Sequence, residues 1–258
     1  MKKFQFALMC VAMVAFIACK PTNEPEKPNG DEPGTEQPGG GDEPAEYVCP
    51  IDVTDNTADD WANVPEGYLF ETKNAEGAVE PALKSVKVFA DDIYLNLLVE
   101  WDTELVTDLT SVPFHVYLNV DGDAETGGYG DQWLEPYNID ILMEGFFFAE
   151  ETEGDGGKPC AYEPGMFGYG GAYGTNEWNW AELTAAGAFS FSQHLGDNKM
   201  EIQMLHELIP AEWGETFTIG FDIQQNWNSV GVLPNAPADE VGAKVKADKL
   251  TVKFYKPE

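Results

Sequence analysis

Two alternating segments joined by a two-residue turn constrain the fold of this chain most. Residues 84–90 (KSVKVFA) and residues 93–101 (IYLNLLVEW) both alternate between apolar and more polar side chains, and Asp91-Asp92 lies between them. Successive side chains of a β-strand point to opposite faces of the sheet. The pattern therefore predicts a β-hairpin with one face buried in a core and one wetter face.

The rest of the chain shows the same character. Short runs of glycine, aspartate and asparagine separate the segments, as turns do. A single short helix is predicted near Leu205 to Glu212, interrupted by Pro210. Roughly nine or ten short strands with frequent turns indicate an all-β fold, a two-sheet jelly-roll-like sandwich. Besides the hairpin, the predicted strands are 113–120, 138–148, 166–173, 186–192, 199–204, 216–224 and 248–255.

The chain begins with a segment typical of export. Lys2 and Lys3 precede an apolar run, residues 4–18, that is too short to span a bilayer comfortably, and the run ends at Cys19. Residues 16–19 resemble the lipobox of bacterial lipoproteins. That resemblance implies that residues 1–18 are a signal peptide that is removed, and that Cys19 carries the acyl chains of a membrane anchor. The alternative is an ordinary signal peptide that happens to contain a cysteine.

Residues 19–46 are predicted to be a linker. They are rich in proline, glycine and acidic residues and contain no aromatic or β-branched aliphatic side chain. Such a segment cannot bury enough apolar surface to offset its ordering entropy. Its acidic stretch resembles the surface-export signal of Bacteroidetes lipoproteins. The resemblance implies an outer-membrane protein exposed at the cell surface, and makes an outer-membrane uptake complex a candidate partner.

Residues 47–258 are long enough for one sandwich domain. The formal charge of −32 divides into +2 in the signal, −6 in the linker and −28 in the domain. Nucleic acid is excluded as a partner because binding it needs a basic surface. Export permits a disulfide between Cys49 and Cys160, with two independent thiols as the alternative.

Several motifs of this domain, in order, are similar to family 9 carbohydrate-binding modules and their DOMON-like relatives. Asp59-Asp60-Trp61-Ala62 resembles the opening motif of that family, and residues 86–101 resemble its strand–Asp-Asp–strand element. Residues 114–123, 201–204 and 219–223 resemble, in turn, a strand leading into an acidic loop, a late strand and the last core strand. The resemblance covers most of residues 51–255. It implies a jelly-roll sandwich that binds sugars, often with structural Ca²⁺.

An acidic loop is the candidate metal site. Asp121, Asp123 and Glu125 place three carboxylates within five residues, beside turn-forming glycines. Calcium takes six to eight oxygen ligands, and carboxylates two residues apart on a loop can converge on one point. Asp131 and Asp140 are candidates to complete the shell. The sequence therefore predicts a structural Ca²⁺ site, with a solvated acidic turn as the alternative.

Aromatic residues with nearby amides are the candidate ligand-binding groups. Sugar rings present apolar C–H faces that stack on flat aromatic rings, while polar neighbours fix the hydroxyl groups. A strongly acidic domain repels acidic polymers, so the predicted ligand is a neutral polysaccharide or oligosaccharide. The alternative is that each tryptophan is a core residue. The predicted binding residues are Trp227, Trp178, Trp133 and Tyr137, with Gln225 and Asn228 as hydroxyl partners.

Catalysis has little support in the sequence. Residues 138–144 resemble the paired-carboxylate strand of laminarinase-type glycoside hydrolases, but Asn138 stands where the nucleophile would be, and Glu144 comes four residues after Asp140. His115, in a predicted strand, is interpreted as a packed or surface residue rather than a base. The leading interpretation is a non-catalytic, surface-anchored glycan-binding lipoprotein. An adhesin or structural subunit that binds protein is the second, and a hydrolase the third.

Overall fold

The structure, a computed structural model, describes residues 47–109, 112–123, 125–128, 138–150, 157–175, 177–184, 189–245 and 247–257. Glu46–Glu258 form one compact unit. Predictions on the signal peptide, Cys19, the linker, Asp131, Trp133 and Tyr137 lie outside the described residues. In the described part of the chain, no helix is long and apolar enough to cross a membrane.

The regular secondary structure of the described residues is almost entirely β-strand, as predicted. Two 3₁₀ turns, Asp59–Asn63 and His206–Leu208, are the helical elements among them. The strands are β1 Phe70–Lys73, β2 Leu83–Ala90, β3 Tyr94–Trp101, β4 Pro113–Asn119, β5 Ile141–Phe146, β6 Phe148–Ala149, β7 Lys158–Pro159, β8 Gly165–Tyr169, β9 Trp180–Thr184, β10 Ser190–His194, β11 Lys199–Leu205, β12 Thr216–Gln225, β13 Asn228–Leu233 and β14 Leu250–Lys253.

These strands form two antiparallel sheets and a small ribbon. The first sheet has the order β1-β2-β3-β11-β10. The second has the order β13-β12-β4-β5-β8-β9, with β14 also pairing with β12. The ribbon is β6 with β7. The central strand β4 of the second sheet lies between β12 and β5, and this arrangement sets up the functional site described below.

The core lies between the two sheets because alternate side chains of each strand point inward. On β3 these are Leu95, Leu97 and Val99, and all three are fully buried. On β4 and β12 the inward residues include Phe114 and Phe221, whose rings stack with centroids 6.0 Å apart. The predicted hairpin is confirmed, since β2 and β3 pair directly across Asp91-Asp92.

The outer face of the first sheet is covered by the segment that precedes β1. Trp61, in the first 3₁₀ turn, packs with Ile51 and Val53 against Leu98 of β3. The Trp61 side chain is 2% exposed, and its indole Nε1 donates a hydrogen bond to a carboxylate oxygen of Glu201 on β11. This face is therefore closed to solvent around Glu201.

Some expectations about local structure are wrong. The predicted helix near residue 205 is a single 3₁₀ turn, His206–Leu208, because Ile209 is extended (φ −78°, ψ 114°) before Pro210. The strand predicted over 138–148 is two strands, since β5 ends at Phe146 and β6 begins at Phe148. More strands are present than predicted because β1, β7, β9 and β13 were not recognised.

The two cysteines of the domain are separate free thiols, so the disulfide is not formed. Cys49 Sγ lies 3.8 Å from Gln203 Nε2, on the outer face of the first sheet. Cys160 Sγ donates to the Phe146 carbonyl at 3.3 Å, beside the second sheet. The two thiols have different surroundings. The structure therefore agrees with the alternative prediction of two independent cysteines.

Candidate functional site

Three charged side chains form a row across the middle of the second sheet. His115 on β4 lies directly opposite Glu144 on β5 and directly opposite Asp222 on β12. Directly opposed residues of an antiparallel sheet share one face, with Cβ atoms about 5 Å apart. Neighbouring residues Phe114 and Phe221 point into the core, so this row points to the outer face.

The histidine is held between the two carboxylates by direct contacts. Its Nε2 lies 2.8 Å from Glu144 Oε2, and its Nδ1 lies 3.9 Å from Asp222 Oδ2. Gln224 Nε2 donates to Asp222 Oδ2 at 2.7 Å and lies 3.2 Å from His115 Nδ1. Ser229 on β13 also donates to Asp222 Oδ2, at 2.8 Å. The contacts extend from β5 through β4 and β12 to β13.

The charges of this row favour a protonated histidine. Burial by itself lowers the pKa of His115, because it disfavours the charged imidazolium. Hydrogen bonding and attraction to Asp222 and Glu144 outweigh burial and raise the pKa to about 9. At neutral pH the histidine is therefore a cation between two carboxyl groups. The side chain of Glu144 is 24% exposed while that of Asp222 is fully buried, so Glu144 is the carboxylate that a ligand can reach.

Trp227 reaches this row from the tip of the hairpin formed by β12 and β13. Gln225 pairs with Asn228, so Asn226 and Trp227 form a two-residue turn. Both have positive φ, 51° and 62°, as a type I′ turn requires. Glycine is preferred at the second position, and a bulky residue there is strained. Strain of this kind is a signal of function rather than of stability.

The two tryptophans and two members of the charged row, His115 and Glu144, line one pocket of about 410 Å³. Its lining residues are His115, Tyr117, Glu144, Trp178, Gln224 and Trp227. The volume falls within the range of small-molecule sites, about 300–1,000 Å³. Trp178 precedes β9 and is 67% exposed, and Trp227 is 58% exposed. Phe146, which is 39% exposed, packs edge-on with Trp227 at a centroid distance of 6.2 Å.

The structure thus brings together Trp178 and Trp227, which lie far apart in the sequence and are predicted from it to bind a sugar from two sides of one site. Gln225 and Asn228 do not line the pocket. Gln225 contacts Thr107, whose backbone N–H donates to Oε1 at 3.0 Å, and Asn228 Nδ2 donates to the Asn226 carbonyl at 2.9 Å. These two amides hold the hairpin and its turn in place.

Four pocket residues, His115, Tyr117, Glu144 and Gln224, are absent from the binding residues predicted from the sequence. His115 was interpreted as packed, and it is buried, but it contacts the pocket carboxylate Glu144. Tyr117 is two residues further along β4 and therefore on the same face. A polar residue at every second position of an otherwise apolar strand was the available signal for this pair.

The acidic loop is held by its own hydrogen bonds. Asp121 Oδ1 accepts from the backbone N–H of Asp123 at 2.7 Å, and Asp123 Oδ1 accepts from that of Glu125 at 2.8 Å. Asp140 Oδ2 accepts from the Val120 N–H at 2.9 Å, and burial raises the pKa of the Asp140 carboxyl. Among the residues described by the structure, no three His, Cys, Asp or Glu side chains are placed to hold a metal ion.

Asp140 and Glu144 do not form a catalytic pair. Asp140 is bound to Val120 at one end of β5, whereas Glu144 lies in the pocket. Four residues of extended chain span roughly 13 Å. Paired carboxylates of glycoside hydrolases lie about 5–9.5 Å apart.

Comparisons with known proteins give one distant likeness. No protein-family model and no curated protein matches the chain. Among solved structures, the chain is similar to a family 9 carbohydrate-binding module from Caldicellulosiruptor kristjanssonii in complex with cellotriose. The match has 13% sequence identity and a TM-score of 0.33, and it covers 82% of this chain and 92% of that chain.

Proposed function

We propose that residues 47–258 are a non-catalytic module that binds a neutral polysaccharide or oligosaccharide in the pocket of Trp178 and Trp227. The observation that carries this proposal is the exposure of both indoles at one polar pocket. Large aromatic side chains are unfavourable to leave in water, since burying one is worth about 2–3 kcal/mol. Two of them at the rim of a pocket favour a ligand with an apolar face.

The groups at the floor of the pocket suit hydroxyl groups. Glu144 offers a charged acceptor, and hydrogen bonds to ionised groups are shorter and stronger than neutral ones. His115 fixes the orientation of Glu144 through Nε2. The carboxylate and the charge of −28 on the domain oppose binding of acidic sugars. Neutral glycans combine the apolar faces and hydroxyl donors that this arrangement accommodates.

The test is truncation of the two tryptophans. A glycan array first identifies a neutral ligand for the soluble domain, and isothermal titration calorimetry then measures its affinity for Trp227→Ala and Trp178→Ala. A stacked ring contributes on the order of 1–2 kcal/mol, so each truncation should weaken binding roughly ten-fold. Leu183→Ala, which removes another exposed apolar side chain outside the pocket, is the matched control. Unchanged affinity in both tryptophan variants, with normal melting, would place the site elsewhere.

The chemistry of the pocket favours binding over hydrolysis. Of the two carboxylates beside His115, Asp222 is fully buried and cannot reach a ligand, so Glu144 has no accessible carboxylate partner among the residues that line the pocket. Protein binding, the second interpretation, would need a different surface. Strand β10 lies at an end of the first sheet with Phe191 51% exposed, beside a second pocket of about 550 Å³ that Asp52 and Gln203 also line. The residues that line this second pocket include no tryptophan on which a sugar ring could stack. The tryptophan pocket therefore supports the glycan proposal better.

We also propose that the module is tethered to the outer membrane through Cys19, with residues 19–46 as the spacer and the domain exposed at the cell surface. The apolar segment that ends at Cys19 supports this proposal. Cys19→Ser should abolish incorporation of labelled palmitate and release the protein from the membrane fraction. Unchanged labelling of that variant would contradict the anchor.

Structural calcium at Asp121 and Asp123 stays a prediction. An ion that binds only the native state at a hundredfold excess over Kd adds about 2.7 kcal/mol of stability. EDTA should then lower the melting temperature by several degrees, and Asp121→Ala should remove that sensitivity. A melting curve that is the same with and without EDTA would favour the solvated acidic turn.

A further inference from the structure

The charged row at the floor of the pocket has two carboxylates and one histidine, and aromatic faces are exposed beside it. Two carboxylates, Glu144 and Asp222, flank one imidazolium, His115. The described residues that line the pocket include no lysine, and the chain contains no arginine. The row therefore contains one more carboxyl group than it contains basic groups. Glu144 is the member of the row that faces a ligand.

The exposed indoles add a second attraction for positive charge. The face of a tryptophan ring attracts an ammonium group within about 6 Å, and tryptophan does so better than tyrosine or phenylalanine. Trp178 and Trp227 line the same pocket as Glu144 and are more than half exposed. A domain charge of −28 further raises the local concentration of cations near the surface.

We propose that this pocket prefers an amino sugar with a free ammonium group over the neutral sugar of the same skeleton. The inference rests on the proposed function, because the aromatic faces hold the sugar ring in both cases. The ammonium group takes the place of a hydroxyl and donates to Glu144, forming a charge-assisted hydrogen bond. His115 and Asp222 hold Glu144 in position and do not touch the sugar.

Three trisaccharides with one skeleton test the preference. They are the β-1,4-linked trimers of glucosamine, glucose and N-acetylglucosamine, which differ in the group at C2. Titration calorimetry at pH 6 keeps the sugar amine protonated. The glucosamine trimer should bind roughly three- to ten-fold more tightly than the glucose trimer. The N-acetylglucosamine trimer should lose that advantage, since acetylation removes the charge.

Matched variants separate the pocket from the acidic surface. Glu144→Gln should abolish the preference for the amine, whereas Glu212→Gln, which removes one exposed charge outside the pocket, should keep it. If Glu144→Gln does not fold, Trp227→Ala serves instead and should lose affinity for the glucosamine trimer. An unchanged affinity in that variant would mean that the amine binds the surface generally, and would overturn the inference.

The outcomes distinguish this inference from the function on which it rests. If a neutral glycan binds at the tryptophans and the glucosamine trimer binds no more tightly than the glucose trimer, the amine preference is wrong and the function stands. The amine preference is also wrong, and the function again stands, if Glu144→Gln binds the glucosamine trimer with an undiminished advantage. If no neutral glycan binds but the glucosamine trimer binds through Glu144, the inference stands and the neutral-glycan proposal is wrong.

Discussion

Each sheet of this domain places a glutamate beside tryptophan on its outer face, and the two places differ in access. On the first sheet, the buried Trp61 covers Glu201 and donates its indole N–H to the carboxylate. On the second sheet, Trp178 and Trp227 are exposed beside Glu144, and the buried His115 contacts the Glu144 carboxylate. The same residue types close one face and leave the other available to a ligand.

The difference follows from what precedes or follows each tryptophan in the chain. Trp61 belongs to a segment whose apolar residues, Ile51 and Val53, pack on the sheet with it. Trp227 belongs to a turn whose neighbours are amides, so nothing draws the ring toward the core. In this domain, the tryptophan with apolar neighbours is buried and the tryptophan with amide neighbours is exposed.

The largest expected contrast is in stability. Trp61→Ala should cost about 3–5 kcal/mol of unfolding free energy, because it leaves a cavity and removes a hydrogen bond from buried Glu201. Trp178→Ala should change it by less than about 0.5 kcal/mol, as exposed side chains do. Denaturant unfolding of both variants measures the contrast. Comparable losses of unfolding free energy in the two variants would contradict the distinction between a buried Trp61 and an exposed Trp178.

The unfolding free energy should depend on pH in one range because of Glu201 on the first sheet, and in a higher range because of His115 on the second sheet. Burial raises the pKa of Glu201 to about 7, with Asp60 adding to the effect, and the two carboxylates raise that of His115 to about 9. Each group binds its proton more tightly in the folded protein, so each contribution is present at low pH and lost as pH rises. The losses should fall between pH 4.5 and 7 for Glu201 and between pH 6.5 and 9 for His115.

The unfolding free energy lost in each pH range should be at most about 3 kcal/mol. Unfolding free energies measured from pH 4.5 to 9 for the two variants provide the check. Glu201→Gln should remove the pH dependence of the lower range only, and His115→Gln should remove that of the upper range only. If Glu201→Gln also removes the pH dependence of the upper range, Glu201 and His115 do not titrate independently.

A smaller change, this time a gain in unfolding free energy, is expected from a substitution at the tip of the hairpin formed by β12 and β13. Trp227→Gly should raise the unfolding free energy by about 1 kcal/mol, because glycine adopts positive φ without steric cost. The same change should remove the aromatic wall of the pocket and weaken glycan binding. Asn226→Gly, at the other turn position, is the control that alters the turn and keeps the ring. A loss of stability in Trp227→Gly would show that the indole packs as a core residue does.

Much of the fold could be predicted from alternation alone. The strand predicted over 216–224 is β12, Thr216–Gln225, and the strand predicted over 199–204 is β11, Lys199–Leu205. Strand β13 was missed because three of its first four residues, Asn228, Ser229 and Gly231, are polar or small. Gly231 is required there, since an added Cβ would lie 2.3 Å from the Leu83 backbone nitrogen.

The site was predictable in part, for a different reason. Trp227 could be placed just after a strand because β12 is strongly periodic, and its amide neighbours suggested an exposed position. The row of Glu144, His115 and Asp222 could not be predicted, because it depends on the register of three strands that are far apart in sequence. Register is set by long-range pairing, and a single sequence carries little information about it.

The two-residue tip also has an evolutionary consequence. Positions 226 and 227 lie beyond the last inward residue of β12, Ile223, and Gln225 fixes the base of the hairpin through Thr107. Exchange of these two codons can therefore replace the wall of the pocket while the sandwich keeps its packing. Descendants of such a sequence can diversify in what they recognise long before they diverge in architecture.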